Sequence, residues 1–209
     1  MSAKPLGYFR YCLACDCETS GLAFGQIDPT VEENTGVTYQ AVSFAFIVVD
    51  TETLEEVDEL YVEIKWNGES KWTSEAEKIH GLSKAYLEKN GLDEKDAVCE
   101  IAEFILKYFD PNKNIPLLGH NVVSFDRYFL FHLFNKFGLN LQFGSRHIDT
   151  LPIGFTLFNL FHSDQIFDKF GLEKRTQHNA LQDIRHTLKI IQMARALWEA
   201  YVIPELEKI

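Results

Sequence analysis

With 209 residues and a formal net charge of −11, the chain is long enough for one domain with a substantial core. That charge excludes the usual grip on long duplex nucleic acid, which places many lysines and arginines on phosphates; a nucleic-acid role would need a small local site or bound cations. The longest apolar run, Ala41–Val49, is too short to span a bilayer, and residues 1–12 lack a secretory pattern, so the four cysteines are expected as free thiols in a soluble, cytoplasmic protein with no membrane partner.

The elements follow in chain order. Residues 8–18 (YFRYCLACDCE) read as a buried strand, closed by Thr19-Ser20-Gly21. A polar, acidic loop leads to Tyr39. Two further strands, Tyr39–Asp50 and one ending at Trp66, flank the turn Asp50–Glu55 and are expected to pair antiparallel. Ser74–Leu92 reads as two short helices broken at Gly81. Asp93–Asp110 is amphipathic, with Val98, Ile101, Ala102, Ile105 and Phe109 at helical spacing. Ile115–Asn121 is a short buried strand, and Ser124 caps a helix that stops at Gly138. Arg146–Leu151 is a last short strand, and the chain is expected to be helical from Pro152 onward. This order predicts a mixed α/β sheet with an antiparallel meander on one side and parallel crossovers after it. Ligand sites in such sheets gather beyond the carboxyl ends of the parallel strands.

The first strand offers two kinds of chemistry. Cys12, Cys15 and Cys17 invite a metal-knuckle reading, but a zinc site needs two ligand pairs, and the only other cysteine, Cys99, lies within a predicted helix. A CxxC along an extended strand also points its thiols to opposite faces, so these cysteines are expected to be core. Asp16 and Glu18 share one face at the strand end. Two neighbouring carboxylates on an apolar strand resist burial unless a divalent cation with oxygen ligands relieves them; solvent exposure is the plain alternative. Asp126 falls in the first turn of an apolar helix, where it also suits the helix dipole. Asp183 lies beside the stripe Leu181, Ile184, Leu188, Ile191. Asn179 and Gln182 form a capping box that starts this helix at Ala180 and leaves His178 just outside it. An off-helix His178 can face the same site as Asp183.

Together these segments resemble the DEDD exonuclease superfamily and, within it, the His-containing (DEDDh) branch. That branch includes the proofreading subunit of bacterial replicative polymerase, ribonuclease T and oligoribonuclease. The motif D-x-E-T-[ST]-G-L is matched by Asp16, Glu18, Thr19, Ser20, Gly21 and Leu22. The motif G-H-N-x-x-F-D-x-x-F-L is matched by Gly119, His120, Asn121, Phe125, Asp126, Phe129 and Leu130, with one extra residue before Phe125. H-x-A-x-x-D is matched by His178, Ala180 and Asp183; softer matches include His80-Gly81 and Asp149-Thr150-Leu151. The resemblance covers residues 8–191 of a chain read as one exonuclease domain, 1–209. The chain departs from the family in a longer acidic loop, Ala23–Tyr39, and shows no evident polymerase-binding tail.

The resemblance implies a ribonuclease H-like fold, a mixed five-stranded sheet flanked by helices. It implies removal of nucleoside 5′-monophosphates from nucleic-acid 3′ ends, DNA being favoured. Asp16, Glu18, Asp126 and Asp183 would hold two Mg²⁺, with Mn²⁺ as a substitute, and His178 would accept the proton of the attacking water. Leu22 and Phe125 would stack on terminal bases, while Thr19, His80 and Asn121 would complete the substrate site. Two alternatives stand beside this: an RNA-directed enzyme of the same branch, and an inactive nuclease fold used as a binding module.

Overall fold

The computed structural model describes residues 9–21, 39–175 and 177–206. Among them, strands β1 (Tyr11–Thr19), β2 (Ala41–Asp50) and β3 (Glu56–Glu63) come first in the chain. Helices α1 (Ser74–His80), α2 (Lys84–Asn90) and α3 (Glu94–Leu106) follow, then β4 (Ile115–Gly119), α4 (Asp126–Lys136) and β5 (Phe143–Asp149). The remainder is helical in pieces: α5 (Thr150–Phe158), α6 (Ser163–Lys169), α7 (Ala180–Leu197), a π-helical stretch Trp198–Val202, and α8 (Ile203–Leu206).

The five strands order as β3-β2-β1-β4-β5. The β1–β2 and β2–β3 pairs are antiparallel, as the short turn between β2 and β3 requires, whereas β4 joins β1 and β5 joins β4 in parallel. β2 is buried along nearly its whole length, the signature of a strand covered on both faces.

Alternation along β1 sorts the covering layers. Leu13, Cys15 and Cys17 belong to the core beneath α3 and α4, with Phe44 and Phe46 of β2 and Val98, Ile101, Phe129 and Phe134. Cys12 and Ala14 belong to the opposite core, with Ile47, Ile184, Leu188 and Ile191 of α7. The cysteines therefore divide between two faces as small apolar side chains, and burial pushes the Cys12 thiol up to about 12. Cys99 lies exposed on α3.

β3 ends at Glu63 and not at Trp66, and α3 ends at Leu106, short of Asp110. Three further differences from the sequence expectations come later in the chain. Ser124 does not cap α4: its N–H closes a turn onto the Asn121 carbonyl, the N-cap position is Phe125, and the helix starts at Asp126. The last strand ends at Asp149, whose carboxylate caps α5 through the Leu151 N–H, so Thr150 and Leu151 are already helical. The tail is not continuously helical from Pro152. α5 ends at Asn159, in the left-handed conformation that asparagine tolerates, and the described residues between α6 and α7 are not helical. Asn179 then accepts from Gln182 N–H and starts α7 at Ala180, as the capping pattern predicts.

Candidate active site

The carboxyl ends of β1 and β4 open into a cavity of about 460 Å³, within the roughly 300–1,000 Å³ range of small-ligand sites. Asp16, Glu18, Asp126, His178 and Asp183 all line it, with Thr19, Asn121 and Phe125. Leu22 and the acidic loop up to residue 38 lie outside the described residues. His80 is buried at the end of α1 and is not among the lining side chains; its Nδ1 accepts from Leu82 N–H. Its neighbour Ile79 lines the cavity instead, and the Ile79 carbonyl accepts the His178 N–H at 2.9 Å.

The four acids arrive by three routes. Asp16 and Glu18 alternate with the buried thiols and so share the α7 face of the sheet. Asp183 comes from the first turn of α7 on that face. Asp126 comes from the α4 layer, and its Oδ1 accepts the Cys17 N–H at 2.8 Å. The β1–β4 register explains why that amide is available. Leu13 and Ala14 pair with Leu117 and Leu118, so Cys17 extends beyond the end of β4 at Gly119. The Asp126 carboxylate takes the place of the missing strand partner.

Gly119 is needed where β4 turns away. A Cβ there would lie 2.5 Å from the Val122 Cβ and 3.1 Å from the Cys15 carbonyl oxygen, and neither can swing aside. Asn121 follows with φ of 57°, and Asp149 fixes the turn by accepting the N–H groups of Asn121 (2.9 Å), Val122 (3.2 Å) and Leu151 (2.8 Å). His120 ties the turn to the opposite wall: its Nε2 donates to the Phe161 carbonyl at 3.1 Å, and its Nδ1 accepts from the Thr150 hydroxyl at 3.0 Å.

Burial raises Asp16, Glu18 and Asp126. Asp16 is held well above the usual carboxylate range by burial and by the charges of Asp126, Asp183 and Glu18. Glu18 is pushed up to about 8 by burial, then by Asp183 and Asp126. Asp126 is pushed up to about 7 by burial, although its hydrogen bonds to Cys17 pull the other way. His178 is lowered by burial and by Arg175, so the neutral imidazole prevails near neutral pH.

Arg175 escaped the sequence reading. Its guanidinium is held by Asp183, at 2.5 Å, and by Asp164, at 2.5 and 2.9 Å, and its side chain is only 4% exposed. The one available signal was a cation three residues before His178 in an acidic chain. Phe161 was also missed: it lines the cavity, is 54% exposed, and stacks on Phe155 with ring centroids 5.2 Å apart.

The donor set fits a hard divalent cation. Glu18, His178 and Asp183 each offer an atom within 4.8 Å of the others, and Asp183 Oδ1 is buried with no hydrogen-bond partner. Asp16 and Asp126 add further carboxylates to the same cavity. Oxygen-rich sites of this kind suit Mg²⁺ or Mn²⁺, whereas the buried, divided thiols do not form a zinc site.

These shifts set a sign for stability. An acid with a raised pKa keeps its proton in the folded state at pH values where the unfolded chain has lost it. The stability of metal-free protein should therefore fall as pH rises from about 4.5 toward 8, the window set by Glu18. Thermal unfolding in chelator should show a lower Tm at pH 8 than at pH 5.5, with Mg²⁺ recovering the difference at pH 8. A flat Tm profile would show that the acids are already compensated without metal.

The five-stranded sheet with these covering helices is the ribonuclease H-like exonuclease fold. It is shared with Escherichia coli exonuclease I in a zinc-bound complex with single-stranded DNA (TM-score 0.68, 17% identity, 92% of this chain and 41% of that one). It is shared equally with the same enzyme in complex with a dT13 oligonucleotide (TM-score 0.68, 18% identity, 96% and 43%). The moderately thermophilic exonuclease I from Methylocaldum szegediense is similar too (TM-score 0.67, 18% identity, 91% and 41%). This chain thus spans about two-fifths of the length of each. The exonuclease family model RNase_T matches residues 13–191, and the chain belongs to that family, within the DEDD superfamily. No curated protein matches the sequence.

Proposed function

We propose that the chain is a single DEDDh-type 3′–5′ exonuclease domain, acting on single-stranded or frayed DNA ends and releasing nucleoside 5′-monophosphates. One observation carries this reading: four carboxylates from three layers of the fold and one off-helix histidine converge on a single cavity. Single-stranded DNA in the exonuclease I complexes supports the choice of substrate.

Asp16, Glu18, Asp126 and Asp183 would hold two Mg²⁺ ions, or Mn²⁺ in their place, which supply charge relief at the phosphoryl group and an activated water near neutral pH. Neutral His178, anchored through its backbone N–H to the Ile79 carbonyl, would accept the proton of the attacking water. Phe125 and Phe161 offer ring faces to bases, a contact that tolerates any sequence. Thr19 and Asn121 shape the cavity wall between acids and bases. With net charge −11, the protein would draw in a terminal phosphate through bound cations and not through a basic surface.

No described helix is long and apolar enough to cross a membrane. The free thiols Cys12, Cys15, Cys17 and Cys99 are consistent with the reducing cytoplasm.

The test is a time course on 5′-labelled single-stranded DNA, duplex DNA and RNA oligomers, with Mg²⁺, with Mn²⁺ and with excess chelator. Stepwise shortening of single-stranded DNA from the 3′ end, abolished by chelator, is the expected result. Cleavage persisting in chelator overturns the metal mechanism, and faster loss of RNA transfers the assignment to an exoribonuclease. Metal-independent binding without cleavage would identify a non-catalytic module.

A further inference from the structure

We propose that Arg175 is the positioning residue that aims Asp183 at the metal, braced from behind by α6. The inference rests on the reading of the cavity as a metal site.

Arg175 sits between two carboxylates. One arm, Nη1, donates to Asp183 Oδ2 at 2.5 Å. The other side of the fork, Nη2 and Nε, donates to Asp164 Oδ1 at 2.5 and 2.9 Å, and Nη2 also reaches the Ser163 hydroxyl at 3.2 Å. The guanidinium carbon lies 4.9 Å from the Phe167 ring centroid, so an aromatic face supports the fork. With a side-chain exposure of 4%, Arg175 has little freedom to leave this arrangement.

The two oxygens of Asp183 are thereby made different. Oδ2 is taken by the guanidinium. Oδ1 is buried with no hydrogen-bond partner, which is a costly condition for a carboxylate oxygen and one that a bound cation relieves. The bond to Oδ2 tethers one end of the Asp183 carboxylate, so Arg175 sets how that carboxylate is turned toward Glu18 and His178, whose Nδ1 lies 3.8 Å from Oδ2.

A cation beside a metal site would also repel the metal, and this opposing effect has to be weighed. Asp164 answers it: by accepting from the same guanidinium, it offsets the positive charge, leaving the geometry of the fork as the larger influence. A lysine keeps the charge but cannot span Asp183 and Asp164 together.

The readout is Mn²⁺ affinity, measured by electron paramagnetic resonance on nucleic-acid-free protein, together with Tm in chelator. Arg175→Ala and Arg175→Lys should each weaken Mn²⁺ binding by about 10- to 100-fold, the usual effect of losing a group that orients a ligand. Added guanidinium ion should restore affinity to Arg175→Ala and not to Arg175→Lys. Should Arg175→Ala fail to fold, Arg175→Lys alone decides the matter. Variants that bind Mn²⁺ as tightly as wild type or more tightly, with only a lower Tm, would reduce Arg175 to a structural or competing cation and overturn the inference. Wild-type protein that binds no Mn²⁺ would overturn the metal-site reading itself.

Discussion

Asp16→Asn is expected to slow phosphodiester hydrolysis by about a thousandfold or more while leaving the protein folded. Asp16 feels all three other acids: the charges of Asp126, Asp183 and Glu18 act on its carboxyl. On the proposed two-metal reading it would help hold both cations, so its loss would weaken both at once. Metal-ion catalysis is worth several kcal/mol, and about 1.4 kcal/mol corresponds to a factor of ten. The same substitution removes an acid that resists ionisation where it stands, so the variant's Tm in chelator at pH 8 should equal or exceed that of wild type. The rate on single-stranded DNA and the Tm are both needed. Activity within tenfold of wild type would mean that the reacting phosphate lies elsewhere.

His178→Asn should reduce kcat by about 10²- to 10⁴-fold, the range for a lost general base, with little change in KM. A base must be deprotonated to act, and burial holds His178 below the ordinary histidine range. The wild-type rate should therefore climb with pH and level off on the acid side of about 6.5, and this limb should vanish in the variant. The measurement also separates two roles, because His178 stands close enough to Glu18 and Asp183 to be a ligand itself. A loss of Mn²⁺ affinity matching the loss of rate would make it a ligand and not a base.

Much of this site was legible because it is written in local patterns. The alternation of Asp16 and Glu18 with Cys15 and Cys17 assigns faces without any tertiary information, and the two cores bear out the division. Asn179 and Gln182 fix the start of α7, and with it the off-helix position of His178. What stayed hidden depends on contacts between distant segments. Ser124 looked like a cap because it precedes an apolar helix; the β4–α4 turn is organised instead by Asp149, which arrives from another strand. The pairing of Arg175 with Asp164 and Asp183 joins three segments and leaves no periodicity to read. The breaks after α5 and α6 were missed because Asn159 and Gly171, both at positive φ, interrupt runs of otherwise helical composition.

The bond from the Cys17 amide to Asp126 bears on how a complex with intact substrate should be captured. An alanine at residue 126 silences the carboxylate but also strands a buried amide where β1 runs past the end of β4, a defect of about 1–3 kcal/mol. Asparagine keeps a carbonyl oxygen in the same place, so the strand end stays closed while the negative charge is lost. For crystallisation with an uncleaved oligonucleotide, Asp126→Asn is thus the conservative choice, and a binding defect seen only with Asp126→Ala speaks of a loosened strand instead of a missing contact.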